Sequence, residues 1–365
     1  METKNGNRTA LYDEHIKLNA KMIDFHGWEM PLEYTGIIDE HLAVRNHVGV
    51  FDVSHMGDIV IKGDDAAAFC DYIFPGKISD MENGQCMYTA FLNNDGKIID
   101  DTIIYRLSEK RFFFIPNAAN IDRIYNWVNS NKNDYKVEIK NYSYNISHIA
   151  IQGPDSLKIL DEMGIKYPGE FKFNYHNTES YNDVSEDNSI IVSGTGYTGE
   201  IGVEIIVPNK DATILWEELI KKIKDYYGKP CGLGSRDTLR MEKGMLLSGQ
   251  DFNEDRTPYE ASISFIINYN HDFIGKEALI KNRNEYNEVF RGFILNGRNI
   301  PRQNCDIIYN NKVVGRISSG SYSPSLNRGI GLGYIKKDIK IKTTVKIKIR
   351  ERLFDAEVSR PRMLK

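Results

Sequence analysis

Three carboxylates stand where a strand pattern would otherwise bury something apolar. In IIDDTIIYR, the acids Asp100 and Asp101 interrupt a run that alternates as a strand, so Asp101 shares a face with Ile99, Ile103 and Tyr105, and Asp100 with Ile98, Thr102 and Ile104. One face of such a strand can be wet, but both are not expected to be. A sheltered carboxylate stabilises a developing cation or accepts a proton, and a structural partner such as a buried arginine explains the acids equally well. The third acid, Glu204 in GVEIIVP, shares its face with Gly202 and Ile206, while Val203, Ile205 and Val207 occupy the other. An unpaired polar group among aliphatic neighbours costs roughly 1–3 kcal/mol, and a charge more. Glu204 therefore calls for a designated partner, unless it faces solvent on an edge strand.

Just before that strand lies Gly194-Thr195-Gly196-Tyr197-Thr198-Gly199, a literal G-x-G-x-x-G after a hydrophobic run. A dinucleotide fingerprint requires its glycines to open a helix whose N-terminal amides receive a pyrophosphate. Here the following residues, Glu200 to Pro208, alternate, are β-branched and close on a proline, which is a strand signature. The glycines are expected to form a hairpin loop whose backbone approaches something flat or bulky.

The elements that must position these residues are legible in outline. Short helices are expected over 40–48 and 64–74, with Asp64 as N-cap of the second. Asn93–Arg106 opens on a turn-forming Asn-Asp-Gly and continues as the strand of the paired acids; RFFFIP is a further strand leading into a helix near Asn117. Helical periodicity returns over Asp211–Ile223 and Ser235–Met245. The charged, Asn-rich Lys276–Glu288 reads as a boundary. Beyond it come only short alternating runs, as expected of an all-β barrel or sandwich.

The 365 residues suggest two or three domains, and 41% hydrophobic with 27% charged residues is ordinary for a globular chain. Cys70, Cys86, Cys231 and Cys305 form no C-x-x-C pair and are expected to be reduced thiols. The histidines form no H-E-x-x-H, so no metal site is expected. METKNGNRTALYDEH has neither an apolar core nor an Arg-rich leader, and no stretch approaches the ~18 apolar residues of a membrane span. A cytoplasmic protein is expected, with no membrane and no nucleic acid as partner. From Lys276 to Lys365 there are 20 Lys and Arg against 8 Asp and Glu, a balance of +12 against −16 for residues 1–275. A basic quarter on an acidic body is either solvated surface or a docking face for an acidic partner.

Taken together, these pieces resemble the glycine cleavage T-protein family of tetrahydrofolate-dependent aminomethyltransferases. The resemblance is carried by LYDEH, GWEMP, HLAVRNHVGVFDVSHMG, YTAFLNNDGKIIDDTIIYR, NAAN, QGP, TGYTGE, GLGSRDTLRMEKGM, GQD, FIGKEAL and SGSYSPSL, in that order along nearly the whole chain. It implies an α+β fold with mostly antiparallel sheets: a folate-binding domain of segments 1–55 and 143–275, a second α/β domain 56–142, and a C-terminal all-β barrel 276–365, arranged around a central folate-binding hole. It further implies that the one-carbon unit of an aminomethyl group passes from the dihydrolipoyl arm of the acidic H-protein to tetrahydrofolate, giving 5,10-methylenetetrahydrofolate and ammonia.

Position by position, Asp101 matches the family's catalytic aspartate beside the reactive folate nitrogens, and Glu204 the acid that grips the pterin. A carboxylate suits the pterin's 2-amino and N3–H donors. Tyr197 matches the loop tyrosine, Met56, Tyr88 and Asn117 other pocket-lining positions, and Arg236 a substrate-site arginine that binds anionic groups or holds a site carboxylate. For Met56, Tyr88 and Tyr197 the plainer alternative is core packing, and for Arg236 a surface salt bridge. The family usually has Arg where this chain has Gly194, Tyr where it has Ser248, and Pro-Phe near the end where it has Pro361-Arg362, with Arg360 or Arg362 a conceivable replacement for the arginine missing at 194. Two rivals share the superfamily. One is a demethylase with no carrier protein. The other is a non-enzymatic folate-binding branch marked by Lys-Gly-Cys-Tyr, against Lys243-Gly244-Met245-Leu246 here.

Overall fold

The computed structural model describes residues 6–182 and 187–364, without the side chains of 177–189. The first five residues of the N-terminal stretch read above lie outside it. The chain forms two compact units, one of Met1–Asp71, Ile78–Thr89 and Thr102–Arg236, the other of Tyr72–Lys77, Ala90–Asp101 and Asp237–Lys365.

The first unit is built on a six-stranded sheet in the order Phe173–Asn182, Asp187–Ser193, Gly202–Pro208, Ile146–Gln152, Gly49–Asp52, Lys229–Cys231. All neighbours are antiparallel except the last pair. Period-two alternation divides its side chains between two cores. Ile190, Val192, Val203, Ile205, Val207, Ile149 and Ile151 pack with Trp216, Leu219 and Ile223 of the helix Asn209–Ile223. On the opposite face Ile191, Ile206 and Ile146 join Val60, Cys86, Tyr105 and Phe113. These last four belong to a second sheet, in the order Cys86–Leu92, Ile98–Ser108, Arg111–Phe114, Ile59–Gly63, Val137–Asn141.

The second unit contains a closed barrel: Glu288–Leu295, Arg328–Lys336, Lys312–Ser323, Asp306–Tyr309, Thr344–Ile349, Arg352–Ser359. Closure is visible in the register, because Glu288–Leu295 pairs antiparallel with both Arg328–Lys336 and Arg352–Ser359. Phe293, Leu295, Ile307, Ile317, Ile335, Ile347 and Val358 fill its interior. The α+β class, the mostly antiparallel sheets and the C-terminal barrel are as expected. The same unit holds the turn that precedes the paired acids, where Asn93 Oδ1 accepts from the amides of Asp95 and Lys97, both at 3.0 Å.

The helix expected over 40–48 runs Ile37–Asn46. Its first amide, Ile37 N, donates to Glu33 Oε2 at 3.2 Å, and the Glu40 carboxylate reaches back to the preceding amides of Tyr34 and Thr35 at 2.5 and 3.0 Å, contacts that composition does not reveal. The helix expected over 64–74 is Ala66–Ile73. Near Asn117 a single 3₁₀ turn, Ala118–Asn120, precedes the helix Ile121–Ser130. The helix expected from Ser235 is Leu233–Glu242, and the connection read at Lys276–Glu288 opens with a helix of its own, Lys276–Lys281.

Candidate active site

Glu204 sits on an interior strand, opposite Ser193 on one side and Ala150 on the other, so the edge-strand reading is excluded. Its cross-strand neighbours on that face, Ser193 and Ala150, are small, and within its own strand it stands between Gly202 and the buried Ile206. The carboxylate itself is half-buried. The designated partner is Thr195, whose hydroxyl donates to Glu204 Oε2 at 2.5 Å. Thr195 Oγ1 also lies 2.9 Å from Ser193 Oγ and 3.4 Å from Tyr105 Oη, and Ser193 Oγ is 3.6 Å from Cys86 Sγ.

The glycine motif is a hairpin loop between the strands Asp187–Ser193 and Gly202–Pro208, with no helix after it. Gln152 fastens the loop by donating to the carbonyls of Thr195 and Val203 at 3.1 and 3.2 Å and accepting from Thr198 Oγ1 at 3.0 Å. A Cβ on Gly196 would lie 2.0 Å from Gln152 Oε1, so a glycine is required there for close approach rather than for an unusual φ. The same reasoning explains Gly194, which stands where the family usually has Arg. A Cβ there would lie 1.9 Å from the Gly169 carbonyl oxygen. Arg45 closes the far end of the loop on Thr198 O and Glu200 Oε1, at 2.7 and 2.8 Å.

Tyr197, carried by this loop, meets Arg236, whose Cζ is 4.7 Å from the ring centroid. Arg236 lies in the first turn of its helix, and that turn is anchored by Glu40, which accepts from the Gly232 amide at 2.9 Å and the Ser235 hydroxyl at 3.2 Å. Desolvation lowers the Arg236 pKa while Glu204 and Tyr197 act in the opposite sense. Its Nη1 is buried without a hydrogen-bond partner among the described residues. The surface salt bridge considered for Arg236 is therefore replaced by an aromatic face and an unused donor.

Met56 packs against the core cluster that contains Ile206, together with Ile103 and Leu107. The following Gly57 donates its amide to Pro116 O at 2.9 Å, and a Cβ on it would meet the Pro116 ring at 2.6 Å. Met56 thus lies beside the segment that ends in Asn117. Asn117 is half-buried at the start of its 3₁₀ turn, and Tyr88 is half-buried on the strand Cys86–Leu92. Asp100 is completely buried, whereas Asp101, the last residue of its segment in the second unit, is half-buried. The more open of the two acid-bearing faces is that of Asp101.

Two features were not singled out from sequence. The hydroxyls that lead to Glu204 come from two strands and the hairpin loop, and only Thr195, inside the glycine motif, carried any signal. His55, adjacent to Met56, is 3% exposed, and its Nδ1 has no partner among the described residues. Burial and then the Arg236 charge push its pKa down to about 3, which keeps the ring neutral near pH 7. Among the described residues, no group of three or more His, Cys, Asp or Glu could hold a metal ion. No described helix is long and apolar enough to cross a membrane.

Comparison with known proteins finds two family profiles. The GCVT N-terminal domain matches residues 11–271, and the glycine cleavage T-protein C-terminal barrel domain matches residues 289–365. The aminomethyltransferase of Thermotoga maritima is 38% identical over 337 residues, covering 92% of this chain and 91% of the relative. That of Caldanaerobacter subterraneus subsp. tengcongensis is 40% identical over 356 residues, covering 96% and 94%. The crystal structure of glycine cleavage system aminomethyltransferase T from Bartonella henselae superposes with a TM-score of 0.90 at 27% identity, covering 98% of both chains.

Proposed function

The chain belongs to the glycine cleavage T-protein family and is a folate-dependent aminomethyltransferase; from that premise we propose that Glu204 holds the pterin of tetrahydrofolate and that Asp101 serves the transfer. The observation that carries the pterin assignment is the seat around Glu204: an interior-strand carboxylate with small cross-strand neighbours, held among the described residues by one hydroxyl, leaves the rest of its lone pairs for a ligand. The pterin's 2-amino and N3–H groups are parallel donors and match it. Tyr197 supplies a ring face, Met56 a soft apolar contact, and Tyr88 and Asn117 a further ring and amide. Arg236, with Nη1 unused, supplies a donor for a ligand acceptor.

When bound, tetrahydrofolate supplies N5 and N10, the two nitrogens that become bridged by the transferred carbon. The donor in this reading is the aminomethyl group on the dihydrolipoyl arm of the H-protein. Its carbon leaves sulfur, its nitrogen departs as ammonia, and the two protons displaced from the folate end on the thiol and the ammonia. Asp101 holds its negative charge where positive charge develops as the carbon leaves sulfur, and it orients the folate nitrogens. Direct proton removal by Asp101 ranks below this, because a neutral folate nitrogen is already a competent nucleophile near pH 7. The basic C-terminal quarter, with its balance of +12, suits docking of an acidic carrier. A cytoplasmic location goes with this reading.

The test supplies aminomethylated H-protein and tetrahydrofolate and measures 5,10-methylenetetrahydrofolate and ammonia together. Both products are expected, in equal amounts and only with the carrier. Ammonia release at the same rate without the carrier would count against the H-protein as donor, and no measurable affinity for tetrahydrofolate would remove the reading altogether.

A further inference from the structure

We infer that Thr195 is a positioning residue for folate recognition, the last member of a hydroxyl chain that fixes the plane of the Glu204 carboxylate. The inference rests on the reading of Glu204 as the pterin-binding acid. Its basis is the direction in which protons must point. An ionised carboxylate only accepts, so the Thr195 proton is committed to Glu204 Oε2 at 2.5 Å. Thr195 Oγ1 can then only accept from its other neighbours, Ser193 Oγ at 2.9 Å and Tyr105 Oη at 3.4 Å. Ser193, having spent its proton on Thr195, can in turn only accept, and Cys86 Sγ at 3.6 Å is placed to donate.

Burial supports this polarity. Thr195, Ser193, Tyr105 and Cys86 are all buried, at 8%, 0%, 0% and 6% exposure. Desolvation raises the Tyr105 pKa well above its ordinary value and pushes the Cys86 thiol up to about 12, so both remain protonated donors at neutral pH. The side chains come from four places in the fold: the strand Cys86–Leu92, the strand Ile98–Ser108, the strand Asp187–Ser193 and the loop after it. They lead link by link to Thr195, which alone meets the carboxylate. A chain of donors aligned toward a charge is reinforced at each link. Thr195 occupies one lone-pair position of Oε2, so the carboxylate cannot rotate without breaking that bond. Oε1 and the remaining Oε2 position are left in a set orientation for two parallel N–H donors. The chain thus makes recognition depend on preorganisation as well as on charge.

The experiment measures the equilibrium affinity for tetrahydrofolate of wild type, Thr195→Val, Thr195→Ser and Glu204→Ala, with thermal melting as the folding control. Thr195→Val is expected to raise Kd about tenfold, the loss of one hydrogen bond to a charged group. Thr195→Ser is expected to return Kd to within about twofold of wild type, since the hydroxyl alone matters. With a tetrahydrofolate analogue lacking the 2-amino group, the valine variant is expected to lose much less, because bond and ligand group are coupled in a double-mutant cycle. Should Thr195→Val melt before it can be titrated, Ser193→Ala tests the same chain one link back, with Kd expected to rise about threefold. Wild-type affinity in the valine variant, no restoration by serine, or an undiminished loss with the analogue overturns the inference. Weakened binding by Glu204→Ala with no effect of Thr195→Val overturns this inference alone. Unchanged binding by Glu204→Ala overturns the pterin assignment, and the inference with it.

Discussion

Replacing Glu204 by Ala removes the acceptor on which the pterin assignment depends, and the structure bounds what should be lost. The carboxylate is half-buried, so each hydrogen bond it makes to a ligand is charge-assisted yet partly replaceable by water. Losing the charged contact should weaken tetrahydrofolate binding by roughly 1.5–3 kcal/mol, or about 10-fold to 150-fold in Kd. The half-exposed position favours the lower part of that range. The fold should tolerate the change: the Thr195 hydroxyl, left without its carboxylate, still has Ser193 Oγ at 2.9 Å. The stability loss is expected to stay below about 1 kcal/mol. Glu204→Gln is the sharper control, since its amide keeps one acceptor but presents an NH₂ where the pterin offers donors; it should bind no better than the alanine variant. Calorimetric or fluorescence titration with tetrahydrofolate, alongside melting curves, makes the measurement. A Kd within twofold of wild type in a folded Glu204→Ala protein would refute the reasoning.

Three further outcomes follow from the geometry. Asp101→Asn keeps the shape and removes the charge, so steady-state turnover should fall by about 10²-fold or more while the folate Kd stays within a few-fold; near-normal turnover removes Asp101 from the mechanism. His148 is completely buried, and although desolvation pulls the other way, the Asp58 carboxylate 2.6 Å from its Nε2 raises its pKa above the ordinary value. A raised folded pKa contributes stability that is fully present below about pH 6.5 and lost as pH rises through the folded value. The melting-temperature advantage of wild type over His148→Gln should therefore shrink across that rise, and an advantage that grows with pH would contradict the pairing. Gly194→Arg, which restores the residue usual in the family, drives a Cβ to within 1.9 Å of Gly169 O. It should destabilise the protein by about 1–3 kcal/mol, seen as a lower melting temperature, and an unchanged melting temperature would contradict the close approach.

Local pattern was enough for the elements that depend only on neighbours in sequence. The strand over Gly202–Pro208 follows from alternation and β-branching, and that strand alone turned the glycine motif from a nucleotide fingerprint into a hairpin loop. The C-terminal run of short alternating segments was readable as all-β, while closure into a barrel, rather than a sandwich, depends on Glu288–Leu295 pairing on both sides. Helix ends were less legible. At the early start the Ile37 amide is taken by Glu33, and Glu40 both reaches back to the Tyr34 amide and holds the turn that begins near Gly232.

From the residues alone, Asp100, Asp101 and Glu204 stood out because a charge breaking an apolar alternation is visible in one dimension. Which of the paired acids is the more open was not, because strand geometry assigns opposite faces without saying what covers each; packing buries Asp100 completely and leaves Asp101 half-buried. Nor could alternation tell an edge strand from an interior one, since both read alike, and only the pairing of Glu204 with Ser193 and Ala150 decides it. The donors behind Glu204 come from positions 86, 105, 193 and 195, and nothing in their spacing connects them. A hydrogen bond between residues far apart in the chain exists only once sheet register has brought their strands together, so the partner of a buried acid belongs to the tertiary structure even when the acid itself is plain in the sequence.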